Sequence, residues 1–168
     1  HSPTGLRPPP PRGEGLAWAV ATPYLPPMTT QAKICGLSTA EGVAAAVDGG
    51  AAYVGFVFFA KSPRNLEPEA AARLAAPLRQ GPVRTVAVTV DPDDALVDRL
   101  IATLKPDLIQ VHGKETPSWV REIAQRSGRG IVKVLSVSEA SDLGPAAAYE
   151  PLVEHLMFDA KPPKDADR

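Results

Sequence analysis

A chain of 168 residues, 44% of them hydrophobic, is long enough for one domain with a sizeable core and too apolar to be disordered throughout. A formal net charge of −1 gives no electrostatic reason to expect nucleic acid or an anionic membrane as partner. One cysteine cannot form an internal disulfide, and three histidines at positions 1, 112 and 155 show no metal-ligand spacing.

Residues 1–27 carry eight of the 19 prolines, in "HSPTGLRPPPPRGEG" and "YLPP". Such sequence favours extended, poorly packed conformations. It reads as a disordered extension outside the fold, with Met28 as a plausible start of the domain at 28–168. "GLAWAVATPYLPP" imitates a signal-peptide core, but proline interrupts it and no basic start or small-residue cleavage site frames it. No apolar run approaches the ~18 residues of a membrane span. The expected location is cytoplasmic.

From residue 32 onward a rhythm appears. Apolar, β-branched runs occur at "AKICGL", "AYVGFVFF", "RTVAVTV", "DLIQVHG", "IVKVLSV" and "EHLMFDA". Helix-like stretches rich in alanine, leucine and charge separate them. The first, "STAEGVAAAVDGG", opens on Ser38 and Glu41 as a candidate capping box and closes on glycine. "EPEAAARLAAPLRQG", "DPDDALVDRLIATLKP" and "TPSWVREIAQRSG" follow. "SEASDLGPAAAYEP" is the weakest helix, because Gly144 and Pro145 interrupt it. Strand alternating with helix predicts βαβ units around a parallel sheet, with continuous apolar strands covered on both faces. Periodicity alone leaves a closed eight-fold barrel and an open doubly wound sheet as alternatives.

In either architecture, chemistry gathers at the carboxyl ends of the strands. Cys35 ends the first strand, Arg64 lies in the loop after the second, Gln110 and His112 end the fourth, and Asp159 ends the sixth. Each has a structural explanation as well. Cys35 could be a small packed hydrophobe, His112 a satisfied structural histidine, Asp159 a cap and Arg64 an exposed loop charge. Lys133, inside "IVKVLSV", is expected to neutralise a carboxylate within the sheet.

The motifs "KICGL", "GAAYVGFVFFAKSPRNL", "LIQVHGKE", "IVKVLSV" and "LMFDAKPPKDADR", collinear over residues 32–168, resemble phosphoribosylanthranilate isomerase of tryptophan biosynthesis. The resemblance implies a (βα)8 barrel and no cofactor or metal. It also implies an Amadori rearrangement of N-(5′-phosphoribosyl)anthranilate to 1-(2-carboxyphenylamino)-1-deoxyribulose 5-phosphate. By the same resemblance, Asp159 is the general acid that opens the sugar ring and Cys35 the base that takes the proton from the neighbouring carbon. Arg64 faces the anthranilate carboxylate, and His112 supports substrate binding at the mouth. About six of the eight βα units fall within the chain. On this reading the family's glycine-rich loop, last two strands and phosphate-binding loops fall outside this stretch, and whether the stretch is active by itself is a separate question from its family. An inactive half-barrel serving as an association module is the non-enzymatic alternative. Indole-glycerol-phosphate synthase, another barrel of that pathway, relies on lysine and glutamate, and "KICGL" argues against it.

Overall fold

The computed structural model describes residues 30–161; the proline-rich segment 1–27, the expected domain start at Met28, and the end of the last motif, 162–168, lie outside them. Six strands follow one another in chain order: β1 (Lys33–Cys35), β2 (Tyr53–Phe58), β3 (Arg84–Thr89), β4 (Leu108–Val111), β5 (Gly130–Val137) and β6 (His155–Ala160). Each pairs in parallel with the next, giving one sheet in the order β1-β2-β3-β4-β5-β6. All six apolar runs of the sequence are strands. The intervening helices are α1 (Ala40–Asp48), α2 (Pro68–Ala75), α3 (Asp94–Thr103), α4 (Pro117–Ser127) and a short α5 (Ala146–Tyr149).

The central strands are buried on both faces, and alternation along each strand divides the two sides. Val54, Phe56 and Phe58 of β2 pack outward with Val43 and Ala46 of α1, Ala71 and Ala75 of α2, and Leu100 of α3. Farther along the sheet, Ile109, Val111 and Ile131 meet Val97, Val120 and Ile123 from α3 and α4. On the inner face, Val57, Val86, Val88, Leu108 and Val132 form a separate apolar wall, joined by Tyr53, Phe59 and Met157.

The sheet curls. The Tyr53 ring on β2 and the His155 ring on β6 meet edge to face with centroids 6.2 Å apart. In a flat sheet, four strand spacings of about 4.8 Å would separate them by roughly 19 Å. Residues of all six strands consequently line one inner cavity of about 270 Å³. Arg84 of β3 reaches Glu154, beside β6, across the amino-terminal end of that cavity (2.7 Å) and holds the Glu154 carboxyl below its usual range. The described fold is therefore a six-stranded parallel half-barrel.

Local sequence sets the helix ends. Asp93 and Thr116 cap α3 and α4 through their side chains, and prolines open α2 and α4. The expected capping box at Ser38 and Glu41 is not formed. Thr39 is the N-cap, accepting from the Gly42 amide (3.1 Å), which leaves Ser38 outside the helix and Glu41 in its first turn. The interrupted fifth helix breaks as its composition suggests, into a 3-10 turn at Ala140–Leu143, α5, and a second turn at Glu150–Leu152. Arg99 of α3 pairs with Glu67 and Glu69 at the start of α2, and Arg126 of α4 pairs with Asp94 and Asp98 of α3. These exposed pairs align consecutive helices and add little stability each.

The expectation of strands covered on both sides fails at the two ends of the sheet. Ile34 of β1 is 42% exposed and Phe158 of β6 is 53% exposed. Each belongs to an edge strand of the described sheet, with a hydrogen-bonding partner on one side alone. For the same reason Cys35 is exposed rather than buried.

Candidate active site

Parallel strands all point their carboxyl ends the same way, so the chemically equipped residues share one rim. Two pairs stand on it. The first is Cys35 with Arg64. Cys35 is the last residue of β1 and lies in register with Gly55 of β2. A Cβ at position 55 would lie 3.3 Å from the Cys35 sulfur, so the absent side chain leaves room for the thiol on the inner face. The Arg64 guanidinium donates to the Cys35 carbonyl oxygen through Nη1 (3.3 Å). It lies across Gly36, whose φ of 79° is a left-handed value that glycine adopts without strain. A Cβ there would come within 2.6 Å of Nη1. Gly36 thus lets the chain turn away from β1 and lets the guanidinium lie flat against it. Asn65 and Ser62 shape the Arg64 loop: the Asn65 carboxamide accepts from the Phe59 amide (2.7 Å) and the Ser62 hydroxyl from the Arg64 amide (3.2 Å).

The second pair is His112 with Asp159. His112 follows β4 directly, its amide donating to the Thr89 carbonyl (2.9 Å). Asp159 faces inward near the end of β6, in register with Ser136. The His112 Nε2 lies 3.3 Å from the Asp159 Oδ2, with both side chains reaching solvent. The four residues picked out from the sequence are brought together as two pairs at opposite edges of the sheet. The first comes from β1 and the loop after β2, the second from the loop after β4 and from β6.

Below the rim, Gln110 turns its carboxamide inward between Val88 and Val132, where its Oε1 is buried without a hydrogen-bond partner among the described residues. Lys133 faces the outer side of β5 and pairs with Glu115 (2.6 Å), both side chains almost wholly buried. The carboxylate expected for Lys133 exists, but it comes from the loop after β4 rather than from the sheet. Only the adjacency of "VHGKE" and a lysine in an apolar strand hints at this pair in the sequence. Beside the rim, Asp142 is held well below the usual carboxylate range. The Lys161 ammonium is the main cause, followed by the Ser138 and Glu139 amides. This contact ties the loop after β5 to the end of β6.

Among the described residues, no group of three histidine, cysteine or acidic side chains could hold a metal ion, and no helix is long and apolar enough to cross a membrane. The arrangement offers a thiol, a carboxyl group with an imidazole beside it, and a guanidinium around one opening. It is equipped for proton transfer at two points and for holding an anion.

The family model for N-(5′-phosphoribosyl)anthranilate (PRA) isomerase matches residues 32–165. The chain is 74% identical over 132 residues to the N-(5′-phosphoribosyl)anthranilate isomerase of Caulobacter sp. (strain K31), which covers 79% of this chain and 62% of that relative. To the Brucella canis protein of the same name it is 49% identical over 140 residues, covering 83% and 63%. The chain thus spans less than two thirds of the length of these curated relatives. Among solved structures, phosphoribosyl anthranilate isomerase from Thermotoga maritima superposes with a TM-score of 0.74 at 31% identity, covering 81% of this chain and 64% of that one. A phosphoribosyl anthranilate isomerase in complex with reduced 1-(o-carboxyphenylamino)-1-deoxyribulose 5-phosphate gives 0.72 at 30%, covering 79% and 66%. With a family model matched across most of its length and close relatives of one name, the chain belongs to the N-(5′-phosphoribosyl)anthranilate isomerase family.

Proposed function

We propose that the complete protein is a closed (βα)8 barrel that isomerises N-(5′-phosphoribosyl)anthranilate to 1-(2-carboxyphenylamino)-1-deoxyribulose 5-phosphate. The domain starts at Met28, residues 1–27 stand outside it, and the reaction takes place in the cytoplasm. Family membership supports the substrate class. The observation that carries the mechanism is the placing of Cys35 and Asp159 on one rim at opposite edges of the curled sheet.

The residue types suit the steps. Asp159 delivers its proton to the furanose ring oxygen as the bond from that oxygen to C1 breaks. The anthranilate nitrogen supplies its lone pair to C1, giving an iminium. The Cys35 thiolate then removes the proton from C2. Those electrons form the C1–C2 double bond and return a lone pair to nitrogen, leaving an enolamine. Protonation at C1 and loss of the proton on O2 yield the ketone. A thiol suits the base because thiols ionise near pH ~8.5, far below a hydroxyl. Acid and base must flank the sugar, and opposite edges of the sheet provide that separation. Arg64 offers a planar fork to the anthranilate carboxylate. His112, in contact with Asp159, orients the carboxyl group. No metal or cofactor is required by these steps.

The test uses the full-length protein with phosphoribosylanthranilate made in situ, following the loss of its anthranilate-type fluorescence. Wild-type protein should turn over. Cys35→Ser and Asp159→Asn should each lower kcat by about 10²–10⁴-fold with an unchanged melting temperature. Near-wild-type turnover by Cys35→Ser would move the base elsewhere, with His112 as first candidate.

A further inference from the structure

Glu115 and Lys133 stand outside the opening, on the far side of β4 and β5 from the inner cavity. Burying an ion pair is expensive, and apolar residues of similar volume commonly pack at least as well. What the pair holds is therefore informative. The Gly113 amide donates to both Glu115 oxygens (3.0 and 2.9 Å), and the Gly113 carbonyl accepts from the Lys133 ammonium (2.9 Å). Both backbone polar groups of one residue are thus clasped by the two side chains. That residue directly follows His112.

The clasp reaches further. Glu115 Oε1 also accepts from the Asp91 amide in the loop after β3 (2.9 Å). The Asp91 carboxylate in turn accepts from the Lys114 amide (2.6 Å). It packs so closely on Gly113 that any side chain there would overlap it. From the other side, Tyr149 of α5 places its ring 5.5 Å from the Lys133 ammonium and donates its hydroxyl to the Glu115 carbonyl (2.8 Å). Every backbone bond that fixes residues 113–115 to the loop after β3 and to β5 runs through this cluster. The imidazole carried just before it meets Asp159 from the far edge of the sheet, 3.3 Å away.

We infer that Glu115 and Lys133 are positioning residues for the proposed reaction: by clasping Gly113 they set where the His112 imidazole meets the Asp159 carboxyl group. This rests on the isomerase reading above. They touch no substrate, and their effect passes entirely through residues 112 and 113. A clasp of this kind acts on the proton-donor geometry and leaves the Arg64 anchor alone. Its loss should therefore appear in kcat and spare KM.

Two variants of the full-length protein separate positioning from mere support. The double variant Glu115→Leu with Lys133→Met replaces the pair by apolar groups and avoids leaving one buried charge alone. Leu100→Ala, in the outer core, lowers stability away from the rim. Measured well below each melting temperature, the double variant should lose up to about tenfold in kcat, the loss expected when the His112 imidazole itself is removed, with KM within about twofold, while Leu100→Ala keeps wild-type kcat. Wild-type kcat in a folded double variant would overturn the inference. A second readout needs no turnover and so holds even if the isomerase reading fails. In 15N-histidine-labelled protein, Asp159→Asn should move the His112 ring resonances in the otherwise wild-type chain and leave them in place in the double variant. Equal movement in both backgrounds would show that the contact forms without the clasp, and the inference would fall.

Discussion

The imidazole of His112 and the carboxyl group of Asp159 meet at 3.3 Å, although 46 residues lie between them in the chain and a whole strand between them in the sheet. His112 directly follows β4 and Asp159 lies on β6, with β5 between. The contact exists because both side chains face inward on a sheet that curls. It makes the carboxyl group part of a pair, and a neighbour within reach of its proton can hold its orientation without being the proton source.

His112→Asn tests that relation. The shorter side chain cannot reach Asp159 as the imidazole does, and no core contact is lost. We expect kcat to fall about tenfold, equivalent to ~1.4 kcal/mol, and KM to change little. The loss should be smaller than that from Asp159→Asn. Steady-state kinetics of both single variants and the double variant measure this: if the imidazole acts only through the carboxyl group, the double variant should be no slower than Asp159→Asn alone.

Arg64→Ala should act on binding. It removes an anchor that grips ground state and transition state alike, so KM should rise more than kcat falls. Arg64→Lys should rescue poorly, because a point charge cannot reproduce the planar fork.

Gly36→Ala should copy part of the Arg64 effect without touching that residue. The added methyl collides with the guanidinium and sits at a φ of 79°. A left-handed conformation costs a residue with a Cβ about 1–2 kcal/mol. The melting temperature should drop and KM should rise together. No change in either would mean that the loop carrying Arg64 relocates freely.

Asp142 predicts a pH dependence. Its folded-state value is depressed, chiefly by Lys161. The contact therefore stabilises the fold above the unfolded value near ~3.9, and that contribution is lost as pH falls through the depressed value. Asp142→Asn should melt below wild type at pH 7, and the gap should close progressively under strongly acid conditions. Melting curves of both proteins from pH 7 downward measure it. Because the Lys161 ammonium is exposed and the carboxylate partly so, added salt should shrink the gap at neutral pH.

Much of the fold was legible because its signals are local. The run "VGFVFF" could not be an amphipathic surface strand, and it is buried on both faces. "DLGPAAAY" could not sustain a helix, and it breaks at Gly144 and Pro145. Lys133 in an apolar strand demanded a carboxylate. Where local rules left a choice, they misled: Ser38 and Thr39 are both competent caps, and it is Thr39 that takes the extended cap conformation and accepts from the Gly42 amide.

The alternation of apolar runs and helical stretches determined, from sequence alone, six parallel strands with Cys35, Arg64, His112 and Asp159 at one end. Strand and helix periods are properties of consecutive residues, and parallel connection by helices aligns the carboxyl ends without further information. Tertiary structure alone decided which of those residues meet. The curl that brings Tyr53 to His155 accumulates from small twists between neighbouring strands and from packing on both faces, neither of which is written in any one segment. The same accumulation brings His112 to Asp159, and loop packing selects Glu115, out of all the acidic residues, as the partner of Lys133.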